Sequence, residues 1–325
     1  MPVMSKPMES RLPTRVNVCP SFYPMSRTAY AVQVPGLVRL PPKLACSGLH
    51  TPRMHTLSGQ FTKPQPAVNL DRYPIHRPDS ADCRNLVARL RRQLDSRQYC
   101  QLPEFLRHRA RREEVGRVLG VLPRAHAANS LRNIYLERSP SPELPADHPR
   151  NLLNPASYRM VGAHLLPEDS ALRQLYLWPA FRRFVEDVTG SGTLYPSADP
   201  YQPVNVLCHG EGDRSAWHFD SDNAFTMTLM LQAPDDGGVF EILPNCRSDA
   251  DPNIEGLRRL LRDDRTGVET IDREEGALMM FRGCHSAHQV TPVRGSRIRM
   301  MGVMVYESAP GVIGDPVVNA TVYGV

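Results

Sequence analysis

From residue 201 onward the chain is written in short apolar segments broken by turn chemistry, and this pattern limits the fold more than any other feature. PVNVLCH, AFTMTLMLQ, GVFEIL, GVETI, GALMMF and RIRMMGVMVYE alternate or run apolar at strand length, with DDGG, EEG and VRGS among them. One helical insert, NIEGLRRLLRD, interrupts the series. Helical patterns come earlier. Ser80 can cap a helix running to about Leu94, with Leu86, Val87, Leu90 and Leu94 on one stripe. EFLRHRARREEVGRVLG predicts a second helix ending near Gly120. EDSALRQLYLWPAFRRFVEDVTG has Ser170 as a cap and Gly190 beyond its end, and its internal Pro179 demands two helices or a sharp kink. Residues 139–156 read as a surface loop. Helices followed by many short strands define an α+β chain whose second half is a β-sandwich or jelly roll.

The first 66 residues differ. They hold eleven prolines, eight Lys or Arg and one acid, Glu9, and only residues 30–41 alternate enough for an edge strand. We expect a flexible, basic extension over 1–66. A single domain then covers 67–325, with a helical part 67–195, a β-rich catalytic part 196–310 and a C-terminal tail 311–325. The extension is acid-poor like a mitochondrial presequence, but its prolines oppose an amphipathic helix and it has no secretory core.

The net charge of +5 belongs to that extension, since residues 67–325 sum to −2. A nucleic-acid partner needs a clustered positive face on the body, so none is expected. No apolar run reaches the ~18 residues of a membrane span. The seven cysteines are scattered and form no CxxC pair, which fits reduced thiols in a cytoplasmic protein.

AWHFDSDNAFTMTLMLQ places His218 and Asp220 two residues apart at a strand end, where side chains i and i+2 share a face. FRGCHSAHQVTPVRGSRIRM offers His285 and His288 as a third ligand. We select His288, because an alternating strand pattern follows it. Two His and one carboxylate on one face leave open positions on an octahedral ion, the arrangement of non-haem Fe(II) oxygenases. A downstream arginine suits 2-oxoglutarate, whose far carboxylate needs a planar bidentate cation. Arg297 is the first choice, and Arg299 competes because the two would share a strand face.

WHFDSD with HQVTPVRGSR resembles the HxD…H…R signature of the Fe(II)- and 2-oxoglutarate-dependent dioxygenases. LVARLRRQL, IYLERSPSPELPADHPR and LYLWPAFRRFV extend the resemblance to the helical half of one branch, over roughly residues 70–310. That branch holds hydroxylases and halogenases of free amino acids and fungal enzymes that close small rings on them. The resemblance implies a double-stranded β-helix, with His218, Asp220 and His288 on Fe(II) and Arg297 or Arg299 on 2-oxoglutarate. It also implies O2 consumption, release of succinate and CO2, and oxidation of a C–H bond by hydroxylation, desaturation or cyclisation. The halogenases carry a small residue where Asp220 stands, so that chloride can coordinate, and a carboxylate there favours oxygenation. The alternatives are a same-fold oxygenase acting on protein or nucleic acid, or a non-catalytic binding module.

Around this core, Asn205 is read either as a cosubstrate contact or as a cap of the sheet end. Trp217 is expected to pack in the core, and Thr226 and Thr228 share a face that can line the pocket. Ser215 and Ser221 flank the ligand pair. His126, His148 and His209 lack partners at ligand spacing and are expected to be structural, and Cys284 is read as an inert thiol. Met301, Val303 and Val305 continue the arginines' face. An apolar face there suits a small free amino acid with an aliphatic side chain, of the kind met in secondary metabolism.

Overall fold

The computed structural model describes residues 67–220 and 225–325. The expected extension over 1–66, its edge strand over 30–41 and Ser221 lie outside these residues. The N-terminal part runs α1 (Ala81–Arg97), β1 (Tyr99–Leu102), α2 (His108–Val121), β2 (His126–Arg132), β3 (Asn154–Val161), α3 (Ala171–Leu177) and α4 (Pro179–Thr189). Next come β4 (Tyr195–Pro196), β5 (Val204–His209), β6 (Ser215–His218), β7 (Thr226–Gln232), β8 (Asp236–Gly237) and β9 (Phe240–Leu243). The chain continues through α5 (Ile254–Leu260), β10 (Glu269–Ile271), β11 (Leu278–Phe281), β12 (Ala287–Val290), β13 (Val293–Arg294), β14 (Arg299–Met304), β15 (Tyr306–Glu307) and α6 (Pro316–Tyr323).

Local chemistry sets the helix limits. Ser80 Oγ accepts from Cys83 N at 3.2 Å, and Leu86, Leu90 and Leu94 form the buried stripe of α1. Ser170 starts α3 in the same way. Pro179 then separates α3 from α4: proline lacks the donor that a helix interior needs, so the chain extends at Trp178 and restarts with Pro179 in the first turn. Gly190 ends α4 at φ +68°, a left-handed conformation that costs glycine little.

Antiparallel pairing builds a seven-stranded sheet, β1-β11-β7-β14-β5-β3-β2, and a four-stranded sheet, β10-β9-β12-β6. Period-two alternation assigns the faces. Val204, Val206, Met227, Leu229, Met300 and Met304 form a core with α1, α3 and α4, each fully buried side chain contributing about 1.5–3 kcal/mol. Between them, Asn205, Thr228, Met301 and Val303 turn to the opposite face and line a cavity. Phe240, Ile242 and Val290 of the small sheet pack with Met279 and Phe281 of the large one, which closes the two sheets into a double-stranded β-helix.

The secondary structure departs from the sequence reading in the N-terminal half and near the C-terminus. β1, β2 and β3 lie in the part expected to be helical, yet they complete the large sheet. HAANSLR in β2 has no apolar alternation of its own and is ordered by its ladder to β3. The expected C-terminal tail carries α6, capped by Asp315 Oδ1, which accepts from Val317 N at 2.7 Å.

Candidate metal centre and cavity

β6 and β12 are neighbours, and their ladder sets His218 directly opposite His288, with a register shift just beyond it. Phe219 turns the other way into a cluster with Ile134 and Trp217, which returns Asp220 to the histidine side. His218 Nε2 lies 3.9 Å and His288 Nε2 3.4 Å from Asp220 Oδ1, and one ligand atom from each residue falls within 4.8 Å of the other two. His218 Nδ1 donates to Ala216 O at 2.8 Å, and His288 Nδ1 donates to Ser286 O at 3.0 Å. A carbonyl only accepts, so each ring carries a proton on Nδ1 and turns Nε2 inward.

Asp220 is held at its backbone and at its carboxylate. Its N–H donates to Gly283 O at 3.1 Å, and Thr226 Oγ1 donates to Oδ2. A Cβ at Gly283 would overlap the Asp220 carboxylate, so glycine is what lets this loop approach. Burial pushes the His218 ring down to about 4, helped by His288. Burial also opposes the charged form of Asp220, but the two histidines and Thr226 overcome it and hold the carboxyl well below its usual range. For His288 the effect of burial is outweighed by Asp220, which raises that ring. Two imidazole Nε2 atoms beside one carboxylate form a donor set that fits a divalent first-row metal, whose binding would displace the proton that Asp220 favours on His288.

The cavity encloses about 300 Å³, at the lower end of the range for small-molecule sites. Its wall also carries Arg299, 1% exposed, whose Nε donates to Gly238 O at 3.0 Å. Burial pushes the Arg299 guanidinium down to about 10. Arg297, the first choice from sequence, is elsewhere. β14 begins only at Arg299, and Arg297 sits in the preceding bend. There its N–H donates to Asp235 Oδ2 and its guanidinium pairs with Glu275 at 2.7 Å on the surface. The shared-face argument fails because position 297 is not in the strand.

Other residues sort by place. Asn205 lines the cavity, donates to Tyr323 OH at 3.2 Å and keeps a buried Oδ1 without a protein partner. Thr226, Thr228, Ser215, Met301 and Val303 also line it, and Val305, beyond the end of β14, does not. Trp217 is buried among apolar neighbours with one edge at the cavity. His209 is buried against Ser215 Oγ at 3.0 Å, and His285 pairs with Asp249, away from the triad. His126 begins β2, and the His148 ring accepts from Arg150 N. Cys284 is buried.

Several cavity residues have no counterpart in the sequence reading, Arg132, Tyr323 and Arg273 among them. Arg132 ends β2 with Nη2 buried and unpartnered, and Tyr323 comes from α6. Arg273 follows β10 and is 6% exposed. It lies in IDREEG, whose charges read as a solvated turn.

A family model for Halogenase D matches residues 84–312. The chain has no match among curated proteins. Among solved structures it is similar to an oxidoreductase of the 2OG-Fe(II) oxygenase family from Burkholderia pseudomallei, at 17% identity over 70% of this chain and 92% of that one, TM-score 0.43. It is similar to AviO1 from Streptomyces viridochromogenes Tue57, at 14% identity over 70% and 97%, TM-score 0.48. A Trichoplax adhaerens prolyl hydroxylase in complex with a hypoxia inducible factor peptide fragment matches at 15% identity over 68% and 90%, TM-score 0.43.

Proposed function

We propose that this chain, a member of the Halogenase D family, is an Fe(II)- and 2-oxoglutarate-dependent oxygenase that oxidises a C–H bond of a free aliphatic amino acid. The observation that carries this reading is the pairing of two features in one cavity. A preformed His-Asp-His face and a buried arginine line the same cavity. His218, Asp220 and His288 would hold Fe(II), and Arg299 would take the distal carboxylate of 2-oxoglutarate, a role that Arg297 cannot reach from the surface. When bound, the metal and its cosubstrate supply oxidising power from O2, releasing succinate and CO2.

The protein's own part is to position and shield. The Nδ1 hydrogen bonds keep both rings in the metal-binding tautomer. Asp220 would hold the metal where a halide would otherwise have to bind, which favours oxygenation over halogen transfer within this family. Met301, Val303 and Leu207 offer an apolar wall for an aliphatic side chain. The free Nη2 of Arg132, whose charge is felt at His218, offers a carboxylate partner near the metal end.

Anaerobic addition of Fe(II) and 2-oxoglutarate to metal-free protein should produce a charge-transfer absorption band, and His218→Ala should abolish it. No band and no iron retention would defeat the assignment. Succinate release across the proteinogenic amino acids tests the substrate class. Turnover of lysine or arginine with none of the aliphatic amino acids would overturn it.

A further inference from the structure

The cavity holds more positive charge than one distal carboxylate requires. Arg273 projects from the turn after β10 between the two sheets, and its Nη2 donates to Thr228 Oγ1 at 2.8 Å. The same nitrogen lies 3.5 Å from Met301 Sδ, and Met301 follows Arg299 by two residues on the same face of β14. The guanidinium sits 5.4 Å from the Phe240 ring centre, while Arg299 is tied to Gly238 O, two residues before Phe240. Both arginines therefore flank the β9–β14 end of the cavity. Arg273 Nε and Nη1 are buried without a hydrogen-bond partner, and no described carboxylate pairs with either arginine.

A buried guanidinium with two orphan nitrogens is costly unless a ligand satisfies it. Burial, and then the Arg299 charge, push Arg273 down to about 9, so the cation is held at an electrostatic cost that an anion would relieve. Its neighbours restrict that anion. Thr228 supplies a hydroxyl, Met301 and Phe240 supply apolar sides, and the only described carboxylate on the cavity wall, Asp220, belongs to the metal face. A carboxylate has about four acceptor sites on two oxygens, more than one fork can fill.

We propose that Arg273 is a second arm of the cosubstrate site, clamping the distal carboxylate of 2-oxoglutarate together with Arg299 and the Thr228 hydroxyl. This rests on the 2-oxoglutarate reading above and deepens it. Arg273 is then a specificity-determining residue, making the cavity selective for dicarboxylate over monocarboxylate 2-oxoacids.

The test is an anaerobic titration of the Fe(II)-loaded full chain, following the charge-transfer band, with 2-oxoglutarate and with 2-oxobutanoate, which lacks the distal carboxylate. Arg273→Gln should weaken 2-oxoglutarate by about tenfold or more while leaving 2-oxobutanoate within about twofold. Arg273→Lys, which keeps the charge and loses the fork, should fall between wild type and Gln. Unchanged 2-oxoglutarate affinity in Arg273→Gln, or equal weakening of both oxoacids, would overturn the clamp. If neither arginine variant folds, Thr228→Val carries the test, with a loss of a few fold expected for 2-oxoglutarate alone and an equal loss for both oxoacids overturning it. A wild-type chain that retains iron but binds no 2-oxoacid would overturn the cosubstrate reading itself, a result distinct from failure of the clamp alone.

Discussion

At the metal end of the cavity, the atoms of His218, Asp220 and His288 that do not face inward are already engaged by Ala216, Ser286, Gly283 and Thr226. At the arginine end, Arg273 keeps two buried nitrogens without partners, and Arg299 reaches the protein through a backbone carbonyl. One end is a negative, self-supported set that suits a cation, and the other is an unneutralised pair of cations. A linear 2-oxo dicarboxylate would be oriented by that difference, with its chelating end drawn to the metal and its far end to the arginines.

The largest break in this contrast should come from Gly283→Ala. A Cβ there overlaps the Asp220 carboxylate and must displace it, so Fe(II) affinity should fall about a hundredfold with the fold retained, as metal titration and circular dichroism would show. Undiminished iron affinity would mean that Asp220 does not bind the metal in this position.

At the other end, Arg299→Met should weaken 2-oxoglutarate by about ten- to a hundredfold, whereas Arg297→Met should change it less than about twofold. The two arginines are two residues apart in sequence, so a reversed order in the same binding assay would overturn the cavity assignment.

The smallest effect concerns the wall contributed by α6. Asp199 accepts from Asn319 Nδ2 at 2.7 Å and from the backbone N–H groups of Tyr201, Gln202 and Gly314. Burial acts to raise this carboxyl, but these donors hold it below its ordinary value. A carboxyl depressed in the folded state gives stability that is present above the unfolded pKa, near 4, and lost as pH falls through the folded value. Wild type should therefore lose more stability than Asp199→Asn on acidification from pH 5 to about pH 2, measured by denaturant unfolding. Parallel acid limbs would show that Asp199 does not tie α6 down.

What could be read in the sequence divides along the same lines. His218 and Asp220 were legible because strand periodicity alone puts them on one side, and His288 because an alternating stretch follows it. The helix caps Ser80 and Ser170 and the break at Pro179 are equally local and appear as expected. Arg297 was preferred because the strand was read as beginning there; β14 begins at Arg299 instead, and Arg297 is engaged by Glu275 and Asp235 from distant parts of the chain. Arg273 was hidden for a related reason: only Thr228 and Met301, on two other strands, give its acidic-looking turn an inward direction. β1 to β3 and Tyr323 likewise owe their places to partners, not to patterns of their own.

β12 and β14 lie in different sheets, with the short β13 in the crossing between them. The stretch separating the distal histidine from the cavity arginine is therefore a bridge between two layers, and its length is free to drift as long as each strand enters its own sheet in the right phase. Motif searches that count residues from the histidine will misassign the arginine whenever that bridge gains or loses a residue or two. Asking which arginine opens the next strand with its side chain inward would recover it.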